Sequence, residues 1–154
     1  MNTYVDANAL VRYYLDVEKR KQLVATLRSA DFANAFPVPV TDLVRFEVGN
    51  AIERMIFETR NGGTAQVTPE MVLVAHGDFE NDMAEGVLLR RIPLAFADIE
   101  TEFDSLVRRY TAKHGFRTYD IIHVASALKL KCKRFLSFDA KANALAKLVG
   151  LKTL

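Results

Sequence analysis

Hydrophobic positions along the chain alternate between a short period of two and a longer helical period, and the switches between them outline the elements. Residues 3–5 read as a short strand stopped by Asp6, after which Ala9, Leu10, Tyr13 and Tyr14 recur at helical spacing. A charged stretch over residues 16–21 leads into a second helical pattern ending near Ala30, and FPVPV at 36–40 reads as a strand. Its prolines suit an edge or a strand entrance. Thr41 or Asp42 can cap the following helix, in which Val44, Val48, Ala51, Ile52 and Met55 share one face. That helix runs to about Thr59 and Asn61-Gly62-Gly63 ends it.

Residues 64–67 read as loop, and Thr68-Pro69-Glu70 as a cap followed by proline at the first helical position. The pattern continues to about Ala84 and breaks at Gly86. VLLRRI at 87–92 predicts a strand, and a long helix from about Phe96 to Lys113 turns Ile99, Phe103, Leu106, Val107 and Tyr110 inward before Gly115. Thr118 can cap a helix carrying Ile121, Ile122, Val124, Ala125, Leu128 and Leu130; RFLSF at 134–138 is a strand; Asp139 opens another helix; and Gly150 precedes a final short strand. Strands alternating with helices predict an α/β fold: a central, mostly parallel sheet of about five strands with helices on both faces. Repeats and linkers are absent, so residues 1–154 read as one domain.

A chain of 154 residues, 50% hydrophobic and 26% charged, is long enough to bury a core of its own. No apolar run reaches the roughly 18 residues that cross a bilayer, and MNTYVDANAL lacks the basic-then-apolar order of a signal peptide, so a cytoplasmic protein without a membrane is expected. The single cysteine, Cys132, lies between two lysines, makes no internal disulfide and reads as incidental. The net charge of +2 says little about partners unless acids gather in one place.

Gathering of acids is what the pattern predicts. Parallel sheets bind ligands beyond the carboxyl ends of their strands, where Asp6 follows the first strand and Asp139 the strand at 134–138. Asp120 begins the helix that feeds that last strand. Each aspartate taken singly is explained as a helix cap, since it satisfies orphan N–H groups and faces the positive end of the helix dipole. Glu47 is not, because it sits inside a helix at the border of an apolar face, where reaching to solvent or pairing with Arg45 or Arg54 is the plain alternative. Four converging carboxylates repel one another unless something positive lies among them, and Mg²⁺ or Mn²⁺ prefers such oxygen donors.

At these residues the chain resembles the PIN domain family, and within it the small VapC-like ribonuclease toxins of toxin–antitoxin pairs. YVDANAL resembles the family's opening strand with its acid, VTDLVRFEVGNAI its helix with the inner glutamate, RTYDIIHVASAL its third acidic motif and FLSFDAKANALA its fourth. The resemblance runs nearly end to end, and its last two motifs are the most specific. It implies that Asp6, Glu47, Asp120 and Asp139 are the catalytic, metal-binding carboxylates, holding one or two Mg²⁺ or Mn²⁺ ions, with Ser137 a hydrogen-bonding neighbour. Asn8 stands where many relatives have Ser or Thr, which keeps a polar group there. His123 also fits the helix motif, but a lone His on an apolar helix reads as a hydrogen-bonded core residue and stays outside the ligand set.

The implied reaction is metal-assisted hydrolysis of RNA phosphodiester bonds, with no side chain as nucleophile. Setting the four acids aside leaves a more positive remainder suited to a polyanion, and Arg12, Arg45, Arg54, Arg117 and Lys141 are placed to contact phosphates, with surface ion pairing as the alternative. Phe46 and Phe57 project away from the main apolar face of their helix, either to pack on the helix at 68–84 or to form an interface. The resemblance favours the interface, since VapC-like proteins form homodimers and are silenced by a cognate antitoxin. Two rival classes remain at this stage. A haloacid-dehalogenase-type phosphohydrolase needs a second Asp two residues after the first, where this chain has Asn8; a receiver-like or PIN-like module would bind without cutting.

Overall fold

The computed structural model describes residues 2–29, 34–64 and 66–153. The end of the second helical pattern at Ala30 and position 65 of the loop at 64–67 lie outside the described residues. The order of elements is β1 (Thr3–Val5), α1 (Ala7–Leu15), α2 (Val17–Arg28), β2 (Val38–Val40), α3 (Asp42–Arg60), α4 (Pro69–Glu85), β3 (Leu89–Arg91), α5 (Phe96–Leu106), a π-helical turn (Val107–Thr111), α6 (Ala112–His114), α7 (Thr118–Lys129), β4 (Arg134–Leu136) and α8 (Ala140–Leu148). It is a helix-rich α/β arrangement whose strands pair in parallel.

The sheet departs from the expected five strands. Among the described residues four strands form two parallel pairs: β1 with β4, matching Tyr4 to Phe135, and β2 with β3, matching Pro39 to Arg90. Proline chemistry accounts for the split. The Val38 N–H donates to Leu88 and the Val40 carbonyl accepts from Ile92, so the alternate residue, Pro39, turns its nitrogen away from β3. That nitrogen carries no proton, and the second edge of β2 lacks its central donor. β2 therefore lies beside β1 without a ladder. The last expected strand is a single parallel bridge between Arg134 and Lys152, with the Phe135 N–H donating to the Lys152 carbonyl at 2.8 Å.

The helices follow their punctuation closely. Thr41, rather than Asp42, caps α3, and Thr68 caps α4 with Pro69 next. Gly86 ends α4 at φ 69°, a left-handed conformation that glycine adopts without a Cβ clash. The helix expected from Phe96 to Lys113 is interrupted: its turn at Val107–Thr111 is a π-helix. That wider turn holds Val107, Tyr110 and Thr111 half-buried behind buried Leu106. α7 starts at Thr118 with Arg117 as its cap, one residue earlier than expected.

Burial follows the predicted faces. α3 buries Val44, Val48 and Ile52, with Ala51 and Met55 partly covered, and β1 is buried throughout. Tyr4 stacks on Phe135 across the β1–β4 pair with ring centroids 5.7 Å apart. α1 packs on α2, α3 and α4, while α7 packs on α5 and α8. Among the described residues no helix is long and apolar enough to cross a membrane.

Candidate active site

The carboxyl ends of β1 and β4 meet at one point. The Asp6 N–H donates to the Leu136 carbonyl at 3.0 Å, which continues the strand pairing one residue beyond β1. Asp6 then caps α1, its Oδ1 accepting from the Ala9 N–H at 2.9 Å. The cap uses one carboxyl oxygen of Asp6 and leaves the other out of the Ala9 contact. Asp6 is only 5% exposed. Burial raises its pKa above the ordinary carboxylate value; the nearby His123 ring, a hydrogen bond from Ser137 and the Ala9 N–H oppose that rise, and Glu47 adds to it.

Glu47 reaches this point from α3, which begins directly after β2. Its Oε2 lies 2.7 Å from His123 Nε2, a close polar contact that is out of line for a hydrogen bond. Oε2 is thus sealed from solvent yet has no hydrogen-bond partner among the described residues. The alternative of Glu47 pairing with Arg45 or Arg54 does not hold: Arg54 pairs with Glu58 at 3.5 Å, and Arg45 lies over the Phe46 ring. His123 is held from the other side, its Nδ1 3.0 Å from the Tyr4 hydroxyl. As a buried, hydrogen-bonded residue it is what the sequence predicts, but its contact with Glu47 went unforeseen. The spacing Asp120-x-x-His123 was the available signal, since it sets His123 one helical turn past a candidate acid.

The other two acids serve their own helices. Asp120 Oδ2 accepts from the Arg117 N–H at 3.2 Å, in the first turn of α7. Asp139 caps α8, its Oδ1 accepting from the N–H groups of Lys141 at 2.7 Å and Ala142 at 3.1 Å. Ser137 joins the two halves, as its Oγ accepts from the Asp139 N–H at 2.8 Å while its hydroxyl bonds to Asp6. Asn143 ties the same corner, donating to the Ser137 carbonyl at 2.8 Å.

A cavity of ≈ 320 Å³ opens between α1 and α3 beside Glu47, with Asn8, Arg12, Asn50 and Arg54 on its walls. Asn8 is exposed there, and Arg12 reaches Asp16 only loosely, at 3.8 Å. Arg117 and Lys141 are exposed at the starts of α7 and α8, and Arg45 is half-buried on α3.

The donor chemistry fits a hard divalent cation. Asp6 and Glu47 are oxygen donors, one of them carries an unsatisfied buried oxygen, and their mutual repulsion is relieved by positive charge. The convergence is incomplete, however: among the described residues no three side chains of His, Cys, Asp or Glu stand close enough to hold an ion between them.

The sequence profile of the PIN domain matches residues 3–148. The chain belongs to the PIN domain family, whose fold is generally that of metal-dependent nucleases acting on RNA or DNA. That membership separates it from the dehalogenase and receiver classes. Among curated proteins none matches the chain.

Proposed function

We propose that the protein is a metal-dependent endoribonuclease and the toxin of a VapBC-type toxin–antitoxin pair. The observation that supports this most directly is the buried, unsatisfied Glu47 Oε2 in the company of Asp6, where β1 and β4 end. Asp6 and Glu47, with Asp120 and Asp139, would hold one or two Mg²⁺ or Mn²⁺ ions. When bound, such an ion lowers the pKa of water toward neutrality and offsets charge on the phosphate. Ser137 keeps Asp6 and Asp139 in register, and its hydrogen bond favours the ionised form of Asp6. Asn8 and Arg12 border the cavity through which a strand of RNA would pass Glu47, and Arg45, Arg117 and Lys141 supply further phosphate contacts.

The partners in this reading are an RNA substrate, a cognate antitoxin and a second copy of the chain. Phe46 and Phe57, 65% and 64% exposed on α3, support a protein interface over packing against α4. The testing experiment is cleavage of total RNA by purified protein with Mn²⁺, with Mg²⁺ and with EDTA, alongside Asp6→Asn and Glu47→Gln. Discrete metal-dependent fragments that vanish in both variants are expected. Equal cutting by the variants overturns the site, and no cutting by wild type favours a PIN module that binds without cleaving.

A further inference from the structure

A string of buried polar side chains runs from the start of α3 into the candidate site. Thr41, Ser126, Tyr4 and His123 are each at most 6% exposed. The Tyr4 hydroxyl hydrogen-bonds to Thr41 and Ser126, and it lies 3.0 Å from His123 Nδ1. His123 in turn presents Nε2 at 2.7 Å to the sealed Oε2 of Glu47. The Tyr4 ring has little freedom, being stacked on Phe135 at an interplanar angle of 4° and tilted against the imidazole at 5.9 Å. Polar groups this deep in a core persist when they have a fixed partner to orient.

We propose that Tyr4 and His123 are positioning residues for Glu47. The Tyr4 hydroxyl donates to Nδ1, which leaves the imidazole proton on Nε2, and the Nε2–H edge then faces the Glu47 carboxylate. The opposite tautomer would set a bare Nε2 lone pair 2.7 Å from a carboxylate oxygen and drive Glu47 away. The misaligned contact retains Oε2 in place without satisfying it, which leaves that oxygen available to a cation. This inference rests on the metal-dependent reading above, but the tautomer part does not need a metal.

Two measurements decide it. In metal-free protein labelled with ¹⁵N at histidine, long-range ¹H–¹⁵N spectra are expected to show the His123 proton on Nε2 in wild type and a mixture or reversal in Tyr4→Phe; an Nδ1–H tautomer in wild type, or identical spectra in both, overturns the proposal. Calorimetric titration of Mn²⁺ is expected to show about tenfold weaker binding in Tyr4→Phe, the size of loss usual when an orienting partner is removed. His123→Gln keeps a donor near the Nε2 position but has no tautomer to set, so adding Tyr4→Phe to it should change Mn²⁺ affinity little. An equal loss in both backgrounds means that Tyr4 acts through packing and overturns the proposal. Wild type that binds no Mn²⁺ overturns the metal-dependent reading instead, and the spectra still decide the tautomer.

Discussion

The backbone N–H of Asp6 donates to the carbonyl of Leu136, and this one bond at 3.0 Å fixes how the end of β1 meets the end of β4. Two of the candidate acids are tied together through that junction, because Ser137 is the next residue and bonds Asp6 on one side and the Asp139 N–H on the other. Ser137→Ala should leave that N–H without its acceptor and cost about 1–3 kcal/mol. It should also push the Asp6 pKa further up, since a bond favouring the ionised form is lost. A pH–rate profile would show its acid limb displaced to higher pH.

Asp6→Asn should stabilise the metal-free protein at neutral pH while abolishing activity. Burial holds the folded-state pKa of Asp6 above the unfolded value of about 3.9, so the folded protein keeps a proton that the unfolded chain has released. Stability is then lost as pH rises through that window and fully present below it. Thermal melts in EDTA should show the variant above wild type at pH 7.5 and the gap closing near pH 4; a variant less stable at pH 7.5 would contradict the sign.

Replacing Phe46 and Phe57 with serine tests the exposed face of α3. Both rings are largely in solvent, so the fold should change in stability by no more than about 0.5 kcal/mol. If the face joins two copies, light scattering after size exclusion should show wild-type dimer and variant monomer. A marked drop in melting temperature would mean that the rings pack internally after all.

Cys132 should resist thiol reagents. It is buried behind the end of α7 with its pKa pushed up to about 11, so little thiolate exists at pH 8. Native protein should react with a disulfide reagent far more slowly than protein in guanidinium, and fast native labelling would contradict the burial.

The local grammar of the chain was readable because caps, prolines and glycines act within a few residues. Thr68-Pro69 opened α4 and Gly86 closed it where the pattern indicated, and Asp6 followed its strand as expected. The sheet was harder, since pairing depends on which edge of β2 Pro39 faces, and periodicity does not report that. The π turn at Val107–Thr111 was invisible for a related reason: its sequence is compatible with an ordinary helix, and packing decides. At the candidate site, the sequence pointed to four acids, of which Asp6 and Glu47 lie near each other, but the Tyr4–His123–Glu47 string joins residues from three elements far apart in sequence. No local pattern encodes such a meeting.

Three of the acids also anchor the beginnings of helices: Asp6 for α1, Asp120 for α7 and Asp139 for α8. Asparagine offers the same accepting oxygen at those positions without the charge. A single base substitution turns an aspartate codon into an asparagine codon, so on the proposed reading one mutational step would separate a cutting from a merely binding version of this scaffold and leave the architecture standing. Alanine at the same positions would remove chemistry and helix start together. A lineage that gave up cleavage could therefore do so without refolding, and could regain it by the reverse change.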